Sequence, residues 1–235
     1  MEYEIRPLGD RALMIYFGDA ITAAIHEKIN AFLAALEAAG IEGISECVPS
    51  YTSVAIYYLP EKISYNTLCE KINLIGRASP KKEESFIYRV PVQYNGPDLQ
   101  YIAEVNQLTV QEVIHFHTSS NYLIHMMGFM PGFPYLGGLP EKLATPRLPK
   151  PRGKVHAGAV GIGGSQTGIY PDESPSGWRI IGFTPLKLFD LNRAEPFLFT
   201  PGHYIKFYSV GHEEYIHIKE LADQGLFAPA LERLK

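Results

Sequence analysis

The sequence predicts an α+β protein in two parts. A small two-layer α/β domain occupies residues 1–84, its boundary extending to about 92, and a larger β-rich domain, a closed barrel or sandwich, occupies 93–235. Three observations carry this reading. The first 75 residues alternate strand-like runs with two helical stripes. Residues 77–84, RASPKKEE, are charged and hold a proline, which suits a link. Residues 127–190 then hold 12 of the 21 glycines and 9 of the 18 prolines, yet an apolar anchor recurs every few positions, among them Tyr135, Val160, Ile162, Ile169 and Ile180. A disordered linker lacks such anchors, whereas glycine and proline placed between them fix the loops of a folded β surface.

The elements follow in order. Residues 3–6 and 12–17 read as strands joined by Pro7-Leu8-Gly9-Asp10, a turn-forming cluster. Ile21, Ile25, Ile29, Phe32, Leu33 and Leu36 fall on one helical stripe, with Asp19 as the expected N-cap and Gly40 as the stop. That stripe needs a sheet to cover. Residues 44–48 and the almost continuous apolar run 54–59 supply it, the second as a central strand. Tyr65, Leu68, Cys69, Ile72 and Ile75 mark a second helix that Gly76 stops. Residues 85–92 alternate Phe86, Tyr88, Val90 and Val92 against Ile87 and Arg89, a half-buried strand expected to close the first sheet.

In the second part, Asp98 is placed to cap a short helix running through Asn106. Thr109-Val110-Gln111-Glu112 has the form of a capping box, opening a helix to about His117. Residues 121–127, 157–162, 177–181, 186–189, 204–210 and 214–218 read as strands. Residues 221–235, broken by Gly225 and Pro229, read as a short helix packed on the barrel.

Composition excludes several classes. A net charge of -4 gives no electrostatic reason to expect nucleic acid. No run approaches the length of a membrane span, and the first residues lack the basic and apolar regions of a secretory leader, so a cytoplasmic protein without a membrane partner is expected. Cys47 and Cys69 have no metal-ligand spacing and suit reduced core thiols. Gly153-Lys154 is followed by Val155, not by the Ser or Thr of a phosphate-binding loop, and Ser165 lacks the second glycine of a nucleophile elbow. His115 and His117, two apart in a helix, point to different faces, and no metal site is identified.

Candidate binding residues concentrate in the glycine-rich stretch. Gln166, Thr167 and Tyr170 place an amide, a hydroxyl and a phenol together after a glycine-rich strand, which suits recognition of an amide carbonyl; equally, they suit a turn that satisfies its own backbone. Arg147 and Arg152, each following a proline, offer rigidly held guanidinium groups to a carboxylate or phosphate, while Lys150 and Lys154 suit a solvated loop. Phe129, Phe133, Tyr135 and Trp178 wall a cleft or fill the core. The bend Pro131-Gly132-Phe133-Pro134 is placed to present Phe133 to a ligand or a partner chain.

Together GFMPGFPYLGGLP from Gly128, the two PR pairs, AGAVGIGGSQTGIYP from Ala157, SPSGW and TPLKLFD resemble the KipI/PxpB family, also called allophanate hydrolase subunit 1. The blocks LGDRALMIYFGD and ECVPSYTSVAIYY are similar to it as well, so the resemblance covers nearly the whole chain. It implies a cyclophilin-like β-barrel for the second domain. It also implies the role of the B component of an ATP-dependent 5-oxoprolinase, opening 5-oxo-L-proline to L-glutamate with a KipA/PxpC-like C component and a LamB/YcsF-like A component. ATP is then a co-substrate of the complex, bound by this chain or by a partner. Arg147, Arg152, Gln166 and Thr167 become candidate donors to carboxylate, lactam carbonyl and phosphate. Two alternatives come with the family: an inhibitor that binds a sporulation histidine kinase, and a protein of the allophanate hydrolase or urea amidolyase type, for which this chain has no biotin-accepting or carboxylase segment. The chain departs from the pattern at Ser176, where SPSGW replaces SPGGW, and at Phe183, where GFTP replaces GRTP. His156 and Ala159 stand where the family has proline and serine. Loss of the arginine at 183 leaves Arg179 as the neighbouring cation.

Overall fold

The computed structural model describes residues 3–75 and 84–234. They fall into two compact units, residues 1–83 and 84–235, in a mixed α+β architecture. The expected helix stop at Gly76 and, apart from Glu84, the expected link lie outside the described residues.

The first unit contains β1 (Glu4–Pro7), β2 (Ala12–Tyr16), α1 (Ala23–Ala39), β3 (Ile44–Pro49), β4 (Ser53–Tyr58) and α2 (Tyr65–Ile75). The strands form an antiparallel sheet in the order β1-β2-β4-β3, which puts the apolar run of β4 between two neighbours. Leu13, Ile15, Val54 and Ile56 from the sheet meet Ile29, Phe32 and Leu36 of α1 and Leu68 and Ile72 of α2 in one buried cluster. Burying each such side chain contributes roughly 1.5–3 kcal/mol, so this contact holds the unit together. The N-cap of α1 is Thr22, not Asp19: its hydroxyl accepts the Ile25 amide at 3.2 Å, leaving Ile21 outside the helix and exposed.

The second unit begins with β5 (Phe86–Val92), α3 (Leu99–Val105), α4 (Val110–Ser119), β6 (Tyr122–Met127) and β7 (Pro134–Gly137). It continues with β8 (Arg152–Val155), β9 (Ala159–Gly163), β10 (Gln166–Ile169), β11 (Ser174–Ser176), β12 (Arg179–Phe183), β13 (Tyr204–Ser209), α5 (His212–Asp223) and β14 (Leu231–Arg233). The strands make sheets ordered β14-β5-β13-β6-β7, β10-β9-β12 and β11-β8 around a core that includes Val90, Ile102, Tyr122, Ile162, Ile181 and Phe207. The capping box of α4 is present, with Thr109 and Glu112 each satisfying the other's amide.

Five expectations are corrected here. β5 does not close the first sheet; it pairs in parallel with β13 and antiparallel with β14. Among the described residues the second unit's ladders do not close into a barrel. Gln93 bridges to Phe183 and so carries β5 on to β12, but β7 lies beside β10 without a ladder. Phe133 and Trp178 occupy that seam, each 3.2 Å from where a Cβ on Gly168 would stand. Residues 214–218 are helical: buried Ile218 and half-buried Tyr215 recur at a spacing of three, and Glu213 and Glu214 lie in the first turn, where acidic side chains favour a helix start. Finally, the tail after α5 returns as β14, and residues 186–189 make only the isolated bridge of Phe189 to Phe197. No helix among the described residues is long and apolar enough to cross a membrane.

Candidate functional site

The glycine-rich strands build a platform. In the β9–β10 hairpin Gln166 lies opposite Gly163 and Gly168 opposite Gly161, so these four residues share one face. The Trp178 indole lies on that face, and a Cβ on Gly163 would come within 2.5 Å of its Cδ1 and Nε1. The backbone approach that the glycines allow is therefore to a ring of the same chain. Phe133 and Tyr170 stand edge-on to Trp178, at centroid distances of 5.9 and 6.1 Å, and all three rings are buried. Ser176 fastens them: its hydroxyl bonds the Tyr170 phenol at 2.7 Å and accepts the Trp178 amide at 2.9 Å. The family departure at 176 thus has a structural use. Phe183, the other departure, packs against this aromatic cluster.

Two arginines meet the platform, and a third, Arg179, pairs with Ile162 and so lies on the opposite face of the sheet. Arg147 is exposed, stands 5.7 Å over the Trp178 ring and donates to the Gln166 side-chain carbonyl at 3.5 Å. Arg152 donates to Asp98 at 2.8 Å and to the Trp178 carbonyl at 3.3 Å. The guanidinium of Arg179 stacks 3.8 Å over Tyr101, lies 3.7 Å from the same Asp98 carboxylate and donates to the Pro146 carbonyl at 3.4 Å. Asp98 is only 5% exposed and also accepts the Ile180 amide at 2.7 Å. It makes no side-chain bond to the helix it was expected to cap, because its oxygens serve these partners instead. Two guanidinium groups thus share one carboxylate while Arg147 meets Gln166 and the Trp178 ring, a surplus of positive charge suited to an anion.

The structure divides the sequence candidates. Arg147, Gln166, Trp178 and Arg152 meet at the platform through the contacts above, while Arg179, opposite Ile162 in the register, is tied to them through Asp98 and the Pro146 carbonyl. Thr167 does not join them, because strand alternation turns it to the opposite, core-facing side of β10. There its hydroxyl donates to the Gly161 carbonyl and bonds His117 Nε2, both at 3.0 Å, while His117 Nδ1 bonds the Tyr94 phenol at 2.7 Å. With its one hydrogen directed to Gly161, Thr167 accepts from Nε2–H, so Nδ1 accepts from Tyr94. Burial holds the pKa of His117 down to about 3 and keeps it neutral. The Pro131–Pro134 bend buries Phe133 and presents Phe129 instead, 69% exposed with a left-handed φ of 67°. His156 is exposed, 3.6 Å from Glu173.

Sequence reading missed Asp98 as an ionic partner, His117 as a core hydrogen-bond junction and Ser176 as a ring fastener. Their partners lie far along the chain for the first two, and only the departure from SPGGW draws notice to the third. Two concavities of about 370 and 350 Å³, one bounded by Lys187, Asp190 and Arg193 and the other by Arg89, Tyr208 and Phe227, include none of these residues and add nothing to the site.

Comparison with known proteins gives a consistent family. The model of the carboxyltransferase domain, subdomain C and D, matches residues 3–199. The B component of 5-oxoprolinase from Bacillus subtilis is 38% identical over 235 residues, covering 94% of this chain and 98% of that one. Its counterpart in Escherichia coli is 37% identical over 205 residues, covering 85% and 93%. The urea amidolyase of K. lactis matches with a TM-score of 0.82 at 24% identity over 99% of this chain and 16% of its own, a likeness of fold alone. The chain also spans 40% of a longer solved protein, at 32% identity and a TM-score of 0.77.

Proposed function

Because the chain belongs to the carboxyltransferase subdomain C and D family, and within it to the KipI/PxpB group of 5-oxoprolinase B components, we propose that it is the B component of an ATP-dependent 5-oxoprolinase. The reaction opens 5-oxo-L-proline to L-glutamate. The observation that carries this reading is the alignment to the Bacillus subtilis protein, which runs almost end to end in both chains.

In this reading the chain supplies recognition and depends on partners for the remainder of the chemistry: a KipA/PxpC-like C component and a LamB/YcsF-like A component, in the cytoplasm. ATP is a co-substrate of the assembly. The groups that surround Trp178 support the assignment. Arg147 over the Trp178 ring offers a planar cation to a carboxylate or phosphate, and the Gln166 amide offers a neutral donor to a lactam carbonyl, while Arg179 behind them adds positive charge. Fixed donors of this kind orient a substrate before reaction without being consumed by it. We read the interrupted strands of the second unit as a cyclophilin-like barrel opened at the β7–β10 seam, where Phe133 and Trp178 stand.

The test is reconstitution. Co-expression with the A and C components should give ADP release that requires 5-oxo-L-proline and all three chains. No such release from the complete assembly, together with tight binding of the isolated chain to a sporulation histidine kinase, would replace this reading with that of a kinase inhibitor.

A further inference from the structure

We propose that Asp98 is a positioning residue for the rim formed by Arg147, Trp178 and Arg179, and that the rim it holds binds the carboxylate of the substrate; the second half rests on the function proposed above. Asp98 ties the backbone on both sides of Arg179. Its Oδ2 accepts the Ile180 amide at 2.7 Å. Its Oδ1 holds Arg152 at 2.8 Å, and Arg152 in turn donates to the carbonyl of Trp178 at 3.3 Å. Between those two points Arg179 is held against the Tyr101 ring and the Pro146 carbonyl, and Pro146 precedes Arg147. One nearly buried carboxylate therefore sets the mutual placement of Arg147, Trp178 and Arg179. A guanidinium fork recognises a carboxylate only when its plane is fixed, so loosening this anchor should weaken binding more than turnover.

The charge balance points the same way. Asp98 is the carboxylate that both Arg152 and Arg179 share, and Arg147 meets Gln166 and the Trp178 face. An incoming carboxylate supplies the negative charge that the cluster lacks.

Trp178 is the single tryptophan of the chain, so its fluorescence reports on the rim directly. In the full chain, Asp98→Asn should keep its far-UV circular dichroism while Trp178 emission moves to the red and iodide quenching rises. In the assembled enzyme the same variant should raise KM for 5-oxo-L-proline by about ten-fold with a much smaller change in kcat, and leave KM for ATP unchanged. Arg152→Gln should reproduce both effects, and the double variant should be no worse than either single one, since the two residues act through one pair. Unchanged fluorescence and KM, or effects that add in the double variant, would overturn the positioning role; a rise in KM for ATP instead of 5-oxo-L-proline would overturn the carboxylate assignment. If Asp98→Asn does not fold, Arg152→Gln, altering a partly exposed side chain, decides on the same readouts. If the wild-type assembly shows no 5-oxoproline-dependent ADP release, the proposed function fails while the fluorescence comparison still judges Asp98.

Discussion

Trp178 rests on Gly163 with no room for a side chain between them: a Cβ there would stand 2.5 Å from the indole Cδ1 and Nε1. This contact explains why a strand at the centre of the second unit is built from glycine, a residue that otherwise weakens strands. It also joins the platform to the arginines, because Arg147 lies over the same indole and Arg152 holds its carbonyl.

Gly163→Ala should therefore displace Trp178 instead of merely stiffening β9. The overpacking is expected to cost roughly 1–3 kcal/mol, read as a lower urea midpoint, and to shift Trp178 emission. An alanine variant with wild-type stability and an unmoved spectrum would mean that the indole does not lie on this strand.

Ser176→Ala removes the partner of both the Tyr170 phenol and the Trp178 amide, two groups with little access to water. Leaving such groups unpaired costs about 1–3 kcal/mol. Equilibrium unfolding should register the loss, and Ser176→Gly, which restores the family residue, should show it too.

His117 should make stability sensitive to acid. Its pKa is about 3 in the folded chain, against the ordinary value of 6.5, because burial disfavours the charged ring. Between pH 6.5 and 3 the unfolded chain binds a proton that the folded chain refuses, so this contribution is complete above pH 6.5 and declines as pH falls through that window, by at most about 1.4 kcal/mol per pH unit. Unfolding midpoints measured across the window should fall less steeply in His117→Gln than in the wild type; equal slopes would place the acid sensitivity elsewhere.

Thr109→Ala breaks the capping box of α4, in which the Thr109 hydroxyl accepts the Glu112 amide at 3.2 Å and Glu112 accepts the Thr109 amide at 2.7 Å. A loss of about 1 kcal/mol is expected from denaturant unfolding. Thr109→Ser should recover most of it.

Local signals are legible in the sequence and distant pairings are not. The stripes of α1 and α2, the apolar run of β4 and the Thr109–Glu112 box each depend on neighbours a few residues away, and each forms. An alternating strand carries no mark of its partner, so β5 reads as part of the first sheet although it pairs with β13, over a hundred residues later. At the site, the residue types at Arg147, Gln166 and Trp178 are readable, but the direction of Thr167 depends on the register of the β9–β10 hairpin. Asp98 reads as a helix cap because local spacing allows it; its actual partners, Arg152 and the Ile180 amide, lie 54 and 82 residues away.

If the exposed guanidinium over the Trp178 platform receives the substrate's carboxylate, its removal must weaken saturation by that substrate. The saturation curve for 5-oxo-L-proline in the assembled enzyme carrying Arg147→Gln is decisive, since Arg147 is on the surface and its loss leaves the core intact. KM should rise about ten-fold or more with kcat changed far less. A variant that saturates at the wild-type concentration would rule out Arg147 as the carboxylate's partner.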